Sequence, residues 1–390
     1  MRGTNQSGLR AHNERMILSI VRLHGEMAKA EIARTIGLSA QTVSVIMRDL
    51  EAEGLLVKGE PVRGRVGQPS TPMRINADGA YFFGLKVGRR SVELVLVDFL
   101  GNIRDRAHHT HRFPTPEATL EFTKKAVTEI TAKLSLAQVK SIFGLGISIP
   151  FQLWDWANVI GVAPEDMDSW RTADIRADLE QAFPFPVYLQ NDATAACGAE
   201  LVFGEKRPFS DFLYFYVGFF IGGGVVLNGS LFSGKTGNAG ALGSMPAPTI
   251  KTTNQQLIDV ASLVVLERLL VKAGQSSDTL WDQPAQWDID QGILDQWIEQ
   301  TAKAIAFAIV SATAVIDFEA AVIDGWLPDN VRARLVADVD RQLHKLNLAG
   351  LVNPPVILEG TVGPDARALG AASLPLSERF LTDQNTGINN

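Results

Sequence analysis

The sequence is poor in the residues that form disulfides, metal cages and membrane anchors. Its single cysteine, Cys197, excludes an intrachain disulfide and a metal site built from several cysteines, and is typical of a reducing cytoplasm. The longest uncharged apolar run, Phe212–Leu227, is shorter than the roughly 20 residues of a membrane helix and contains three consecutive glycines, so we expect buried strands there. The N-terminal residues lack the apolar segment of a signal peptide. We therefore expect a cytoplasmic protein without a membrane segment.

Positive charge is scarce overall but not near the N-terminus. The net charge is −7, and charged residues make up 20% of the chain. Residues 1–76 nevertheless hold 11 Lys and Arg against 7 Asp and Glu. Because 390 residues exceed one typical core, we expect two or three domains. This asymmetry favours a small nucleic-acid-binding domain attached to a larger acidic body.

A helix-turn-helix pattern occupies the N-terminal region. Apolar residues recur at a helical period over residues 14–24, and two further helices are predicted over 29–36 and 40–53. Gly37 suits the turn between them, and Ser39 is well placed as the N-cap of the third helix. In this arrangement the early residues of the third helix reach base edges in the major groove, although an ordinary helical hairpin with a polar face is the alternative. The candidate DNA-binding residues here are Ser39, Gln41, Thr42, Ser44 and Arg48.

The segment "LLVKGEPVRGRVGQPSTPMRIN" that follows predicts a β-hairpin wing. Arg63 and Arg65 lie near its tip, where such an arm can enter or follow a minor groove. A solvated linker between domains is the alternative, and the two roles are compatible. Together with the helices, this segment predicts a winged helix-turn-helix domain that binds double-stranded DNA.

The rest of the chain repeats one α/β pattern. After Asn76, three strand-like runs joined by tight turns lead to a helix near residues 117–134 and another strand, and the three-strand pattern restarts near residue 211. This repetition predicts a duplicated α/β fold with a ligand-binding cleft between two lobes. The expected bounds are 1–76 for the DNA-binding domain, 77–193 plus about 363–382 for the first lobe, 194–362 for the second lobe, and 383–390 for a disordered tail.

The helix-turn-helix with its wing, "LQNDATAA", "IGGGVVLNG" and "GNAGALGS" together resemble the ROK family, in the family's order and over almost the whole chain. The family groups sugar-responsive repressors with sugar kinases. The resemblance implies an actin-like, hexokinase-type (ribonuclease H-like) body of two lobes behind the winged helix-turn-helix. For members with a DNA-binding domain it also implies a homodimer or homotetramer on an inverted-repeat operator.

The sequence departs from the kinase members of that family. The resemblance places an Asp-x-Gly-x-Thr phosphate loop where Lys86 and Arg90 replace the aspartate and the threonine. Phe219 and Phe220 stand where the second phosphate loop has small or hydroxylated residues, and Trp326 stands in the adenosine segment. Because phosphoryl transfer depends on positioning and charge stabilisation, we expect no kinase activity and no cofactor. We also expect the hairpin tip that carries Lys86, Arg89 and Arg90 to be solvated, with binding of an anion as the alternative.

The family's sugar motif is present in part. Asn191 and Asp192 match the Asn-Asp pair that contacts sugar hydroxyls, and these residue types also cap helices. The Glu-x-Gly-His signature is replaced by Ala241 to Ser244, and the zinc-binding histidine and cysteines of relatives have no counterpart, so no metal is expected. An aromatic face and carboxylates downstream of residue 150 are candidate substitutes, with a core tryptophan as the alternative. The candidate effector-binding residues are Asn191, Asp192, Phe151, Trp154, Glu165, Ala241 and Ser244.

These patterns predict a ligand-responsive DNA-binding regulator, and specifically a repressor of genes for sugar or sugar-alcohol uptake and catabolism. The expected partners are operator DNA, a sugar or polyol effector and a second copy of the chain. Two alternatives stay open on the sequence. One is a sugar kinase with a regulatory DNA-binding domain, and the other is a regulator controlled by a protein partner.

Overall fold

The computed structural model of the chain describes residues 3–61, 71–157, 161–247, 255–282 and 284–382. Its contacts divide the chain into two compact units, residues 1–190 with 371–390 and residues 191–370. The predicted tail, 383–390, lies outside the described residues.

The N-terminal part of the first unit is a three-helix domain with a two-stranded wing. Its elements are α1 (Gly3–His24), α2 (Lys29–Ile36), α3 (Ala40–Ala52), β1 (Leu56–Lys58) and β2 (Met73–Ile75). Strands β1 and β2 are antiparallel, with Leu56 opposite Ile75. The predicted helices over 29–36 and 40–53 are confirmed. The first helix begins at Gly3 rather than at residue 14, because its N-terminal turns carry too few apolar residues to show a period.

The first five-stranded sheet completes the first unit. Its strands are β3 (Tyr81–Val87), β4 (Ser91–Asp98), β5 (Ile103–Thr110), β6 (Ile142–Ile149) and β7 (Val187–Asn191), in the order β5-β4-β3-β6-β7. Strands β3 to β5 are antiparallel neighbours, whereas β3 and β6 are parallel. The helices are α4 (Pro116–Thr131), α5 (Leu136–Lys140) and α6 (Ile175–Ala182). Strands β3 and β4 are buried almost throughout, as their continuous apolar runs predict.

The second unit has the same strand order. Its strands are β8 (Phe212–Val217), β9 (Ile221–Leu227), β10 (Ser230–Leu231), β11 (Ala320–Gly325) and β12 (Val356–Glu359), in the order β10-β9-β8-β11-β12. The helices are α7 (Asp192–Phe203), α8 (Ile258–Ala261), α9 (Leu263–Lys272), α10 (Thr279–Asp282), α11 (Gln291–Ile316) and α12 (Asp329–Leu343). Helix α13 (Ala366–Phe380) begins in this unit, and its residues from Ala371 on belong to the first unit. The predicted duplication is therefore confirmed, and the apolar run Phe212–Leu227 forms the hairpin β8–β9.

Helix α11 is the most apolar long helix that the structure describes. By length and composition alone it could cross a membrane, but half of its most apolar window is buried in the protein. Its residues Trp297, Ile305 and Ile309 pack in the same cluster as Phe215 of strand β8. The helix therefore has the burial of a core helix in a globular unit.

Candidate functional site

Helix α3 has one apolar face and one polar face. Val43, Ile46 and Leu50 are buried in the small N-terminal core. The predicted DNA-binding residues of this helix, Gln41, Thr42, Ser44 and Arg48, are all exposed. The helical period predicted this division correctly, since residues three and four apart lie on the same face.

Ser39 begins the helix as predicted. Its hydroxyl oxygen accepts a hydrogen bond from the Thr42 backbone amide at 3.1 Å. The two hydroxyl oxygens of Ser39 and Thr42 are 2.8 Å apart. Ser39 therefore stabilises the first turn of α3 by satisfying one of its unpaired amide groups and orients the Thr42 side chain.

Charges beside α3 are arranged around Asp49. The Arg10 guanidinium lies 2.8 Å from the carboxylate of Asp49 and 2.8 Å from that of Glu14. The hydrogen bond to Glu14 is the largest cause of the raised pKa of Arg10. Arg48 is 3.9 Å from Asp49, and its side chain is 72% exposed. Because Arg10 already neutralises Asp49, Arg48 presents its positive charge to solvent.

One residue on this face escaped the sequence analysis. Val45 is 40% exposed. It lies four residues after Gln41 and three before Arg48, so all three share one face of the helix. An apolar residue in a short helix is normally assigned to the core, but this spacing from two exposed polar residues was the signal that could have found it.

The wing is described only near its base. Lys58 of β1 forms an ion pair with Glu51 at 2.9 Å, and Arg74 of β2 is 3.5 Å from Glu26. Arg63 and Arg65 lie outside the described residues.

Asn191 and Asp192 lie at the start of helix α7, in the second unit. The Asn191 side-chain oxygen accepts hydrogen bonds from the backbone amides of Ala193 at 3.1 Å and Thr194 at 3.3 Å. The helix cap is therefore Asn191, and the Asp192 carboxylate is left for another partner.

That partner is Arg367, which the sequence analysis missed. Its guanidinium lies 3.5 Å from the Asp192 carboxylate, and the two side chains are only 13% and 16% exposed. Its carbon also lies 5.1 Å from the centre of the Tyr216 ring. Burial lowers the pKa of Arg367, but Tyr216 and Asp192 outweigh it and the net shift is upward. No sequence signal connects these two residues, because they are 175 positions apart.

The glycine-rich strand β9 lies directly against α7. A Cβ atom at Gly224 would lie 2.4 Å from the Cβ of Cys197, so only glycine permits this packing distance. The predicted residues Ala241 and Ser244 flank and end the short 3-10 helix Leu242–Ser244, and both are exposed. The second unit thus holds four of the seven candidate effector-binding residues.

The other three candidates lie in the first unit. Phe151 and Trp154 are half-buried, and the Arg171 guanidinium is 5.3 Å from the Trp154 ring. Trp154 also packs against the core of this unit. Glu165 is exposed in the 3-10 helix Pro164–Asp166.

The hairpin that corresponds to the first phosphate loop is buried, which corrects the expectation of a solvated tip. Lys86 is 3.4 Å from Glu93, and their side chains are each 8% exposed. Glu93 also binds Arg106 at 2.8 Å. The Arg89 guanidinium lies 3.5 Å from the centre of the Trp156 ring. Ion pairing covers Lys86 and aromatic stacking covers Arg89, whereas Arg90 is exposed.

Aromatic side chains occupy the segment that corresponds to the second phosphate loop. The Phe219 and Phe220 ring centres are 4.9 Å apart, and Phe219 is 5.4 Å from Trp281. The Trp326 indole donates a hydrogen bond to the Leu280 carbonyl at 2.8 Å. The turn that precedes the glycines of β9 therefore carries a packed aromatic group rather than hydroxyl-bearing residues.

Two acidic residues are buried in the second unit. Asp324 accepts hydrogen bonds from the Gly325 amide, the Gly363 amide and the Tyr214 hydroxyl, at 2.8, 2.9 and 3.0 Å. Burial raises the pKa of Asp324 and, likewise, the pKa of Glu200. In the described part of the chain, no cluster of three or more His, Cys, Asp and Glu is placed to hold a metal ion.

Both parts of this architecture match models of known protein families. Residues 10–57 match the winged helix-turn-helix DNA-binding model, and residues 82–257 match the ROK family model. In a solved structure of a ROK family transcriptional regulator, a homologue of the E. coli MLC protein, the same fold covers 96% of this chain and 97% of that chain. Its TM-score is 0.71 at 18% identity.

Two sequence relatives differ in how much of the chain they share. An uncharacterized protein, y4fQ of Sinorhizobium fredii, is 26% identical over 373 residues, which are 95% of this chain and 92% of that protein. The xylose repressor of Caldicellulosiruptor bescii is 25% identical over 239 residues, which are 61% of this chain and 59% of that protein. The chain thus spans nearly all of the first relative and about three fifths of the second.

Proposed function

We propose that this chain is a sugar-responsive repressor that binds operator DNA, since residues 10–57 match the winged helix-turn-helix model and residues 82–257 match the ROK family model. The observation that carries the proposal is the exposed polar face of α3 within the domain matched to DNA-binding proteins. The similarity to a xylose repressor supplies the class of effector. On this basis the genes it controls serve the uptake or catabolism of a sugar or sugar alcohol, and the protein acts in the cytoplasm.

Helix α3 reads the major groove in this proposal. Arg48 can donate two hydrogen bonds to a guanine, and Gln41 can pair with an adenine. Thr42 and Ser44 contact bases or phosphates, and Val45 can contact a thymine methyl group. Arg63 and Arg65 of the wing contact the adjacent minor groove. A homodimer or homotetramer then places two such helices on an inverted repeat, about one helical turn or a multiple apart.

The effector binds at Asn191 and Asp192 in this proposal. Asp192 supports it because its carboxylate is only partly satisfied by one arginine at 3.5 Å, and a carboxylate can accept further hydrogen bonds from sugar hydroxyls. Ala241 and Ser244 follow the strand on which α7 packs. Phe151, Trp154 and Glu165 of the first unit are further proposed contacts, with the aromatic rings facing the C–H groups of a sugar.

Three sets of contacts support a regulator rather than a sugar kinase. Lys86 is engaged by Glu93, Arg89 stacks on Trp156, and Phe219 packs on Trp281. A phosphate loop needs backbone amides and small side chains facing the nucleotide, together with a carboxylate for magnesium. Here the corresponding positions hold cations in stacked or paired contacts and bulky aromatic rings. We therefore propose that the protein neither requires a nucleotide cofactor nor transfers phosphate.

The test is an anisotropy titration of the full-length protein with labelled promoter fragments from beside its own gene. We expect binding to one fragment to be at least about 1,000-fold tighter than to random duplex at physiological salt. D-xylose, other pentoses, hexoses and polyols are then added one at a time, and one class should change the operator affinity. Equal affinity for all duplexes would refute the proposed repressor function. Turnover of ATP with any of these sugars would instead favour the kinase.

A further inference from the structure

Helix α13 is shared between the two units. It runs from Ala366 to Phe380, and the division between the units falls within it, after Gly370. Its first turn therefore belongs to the unit that holds Asn191 and Asp192, and its remainder to the unit that holds α3.

The start of α13 is held against α7. Arg367, in the first turn of α13, is the ion-pair partner of Asp192. A Cβ atom at Gly370 would lie 2.0 Å from the Ala195 carbonyl oxygen, so the two helix backbones are in direct contact there. Any movement of the start of α7 must therefore displace the start of α13 as well.

The middle of α13 lies equally close to strand β6. A Cβ atom at Gly146 would lie 1.8 Å from the Ala371 carbonyl oxygen, and one at Gly144 would lie 2.6 Å from Pro375. Glycine at these two strand positions lets the helix lie on the sheet backbone. Such a contact has no flexible side chain that could absorb a shift of the helix.

The end of α13 contacts the first helix of the DNA-binding domain. The Arg15 guanidinium donates to the Glu378 carbonyl at 3.4 Å, and the Ser19 hydroxyl accepts from the Thr382 backbone amide at 3.0 Å. The Phe380 ring is 4.9 Å from that of Phe99. Arg22 of α1 donates to the Phe99 carbonyl. Arg15 of α1 and Phe99, in the turn after β4, thus contact the last turn of α13, and Ser19 of α1 binds the chain just beyond it.

Helix α1 in turn contacts α3. Ile17 and Val21 are fully buried in the core that α1 shares with α2 and α3. Arg10 joins α1 to α3 through its ion pair with Asp49, the neighbour of Arg48. A displacement of α1 therefore changes the support of the face that carries Gln41 and Arg48.

We propose that α13 is the element that couples effector binding to DNA binding, with Arg367 as the positioning residue at its start. The proposal rests on the proposed function, because it takes Asp192 as the sugar-contacting group. A sugar hydroxyl that donates to the Asp192 carboxylate competes with Arg367 for it. The start of α13 then shifts, and its close contacts with β6 and α1 carry the shift to α3. Coupling of this kind requires that the sugar bind the two positions of α13 with different affinity.

The first arm of the test needs neither sugar nor DNA. Arg367→Lys keeps the positive charge but loses the planar guanidinium that contacts both Asp192 and the Tyr216 ring. We expect faster amide hydrogen exchange in residues 12–24 of α1 than in the wild type. The matched control is Arg334→Lys. Arg334 lies on α12 of the second unit, and its exposed ion pair is with Asp295 of α11. This substitution should leave the exchange of α1 unchanged. Unchanged exchange in folded Arg367→Lys would overturn the proposal.

The second arm changes only the far end of the helix. In Arg15→Met/Ser19→Ala the contacts of α1 with Glu378 and Thr382 are lost, while Asp192 and Arg367 are untouched. The readout is the ratio of operator Kd with and without D-xylose, because a change in DNA affinity alone does not alter it. We expect a wild-type ratio of about fivefold or more, falling towards one in the variant, with the Kd for D-xylose retained.

The exposed pair Arg176 and Glu180 of the first unit offers the control for this arm, since Arg176→Met should keep the wild-type ratio. A full ratio in Arg15→Met/Ser19→Ala would overturn the coupling role of α13. The two arms separate this proposal from the proposed function. If no sugar changes the operator affinity of the wild type, the proposed sugar effector is refuted. The hydrogen-exchange arm still decides in that case whether Arg367 and α1 are coupled.

Discussion

The two regions that we propose to be functional place their side chains in opposite physical environments. The reading face, which we define as Gln41, Thr42, Ser44, Val45 and Arg48, is exposed on a helix whose other side forms a core. The sensor pair, Asp192 and Arg367, is largely buried and already occupied by its own contact. The Arg48 side chain is 72% exposed, whereas that of Asp192 is 16% exposed.

This difference determines what each region can do. Replacing an exposed side chain changes the stability of the fold little. Its contribution therefore appears only in the affinity for DNA, when binding removes the side chain from water. A buried ion pair contributes to the fold and to ligand binding together, because removing one partner leaves an uncompensated charge. In a sensor built in this way, ligand binding changes the packing around the ion pair. Substitutions in the two regions should therefore separate binding from stability.

The largest effect is expected from Asp192→Ala. Arg367 would lose its carboxylate while largely buried, so the free energy of unfolding should fall by about 3 kcal/mol. The response to sugar should be abolished, and operator binding without sugar should shift towards that of the sugar-bound wild type, because Arg367 loses the contact for which the sugar competes. Urea unfolding and the operator titration measure the two effects. Asp329→Ala is the control, because that side chain is 93% exposed and its loss should cost less than about 0.5 kcal/mol. A normal sugar response in Asp192→Ala would remove Asp192 from the sensor.

Arg48→Ala should separate the regions most clearly. Loss of a bidentate contact with a base should weaken operator binding by about 2 kcal/mol, or roughly 30-fold. Stability should change by less than about 0.5 kcal/mol, because the side chain is exposed. Anisotropy with the operator and with a duplex altered at the contacted base measures the loss and its base dependence. Operator binding equal to that of the wild type would mean that Arg48 does not face the groove.

Ser39→Ala probes the scaffold beneath the reading face. Loss of the hydrogen bond to the Thr42 amide should lower the stability of α3 by about 1 kcal/mol. Because the same hydroxyl orients the Thr42 side chain, the free energy of operator binding should weaken by a similar amount. Ser39→Asp keeps an acceptor at the cap and should restore the stability but not the affinity, since it places a negative charge near DNA phosphates. Thermal unfolding and operator titration of both variants test this, and a stable Ser39→Ala would contradict the cap.

The smallest effect is a difference in pH dependence. Burial raises the pKa of Glu200, so its contribution to stability is complete below the unfolded pKa of about 4.3 and is lost as pH rises through the folded pKa. The advantage of the wild type over Glu200→Gln should therefore shrink from pH 4 to pH 7. The exposed Glu299 has a pKa lowered by Lys303, so the difference for Glu299→Gln should have the opposite slope. Urea unfolding across this range measures both slopes, and a rising difference for Glu200→Gln would refute its raised pKa.

Particular elements show how far sequence reasoning extends. The helix bounds of α2 and α3 follow from local periodicity and from Ser39 and Gly37 at the turn. The start of α1 was missed because residues 3–13 are mostly polar and show no apolar period. The hairpin tip at Lys86 and Arg89 was expected in solvent, because isolated cations at a glycine turn are normally exposed. In the fold, Glu93 and Trp156 cover them.

By itself the sequence determined the two repeated three-strand patterns, the winged helix-turn-helix, the buried apolar hairpin and the polar face of α3. Each of these depends on residues close together in the chain, where side-chain period and turn chemistry act directly. Only the tertiary structure decided that Arg367 pairs with Asp192 and that α13 carries contacts from that pair to α1. Such contacts join residues more than a hundred positions apart, and they depend on how close two backbones approach. No local pattern encodes that distance.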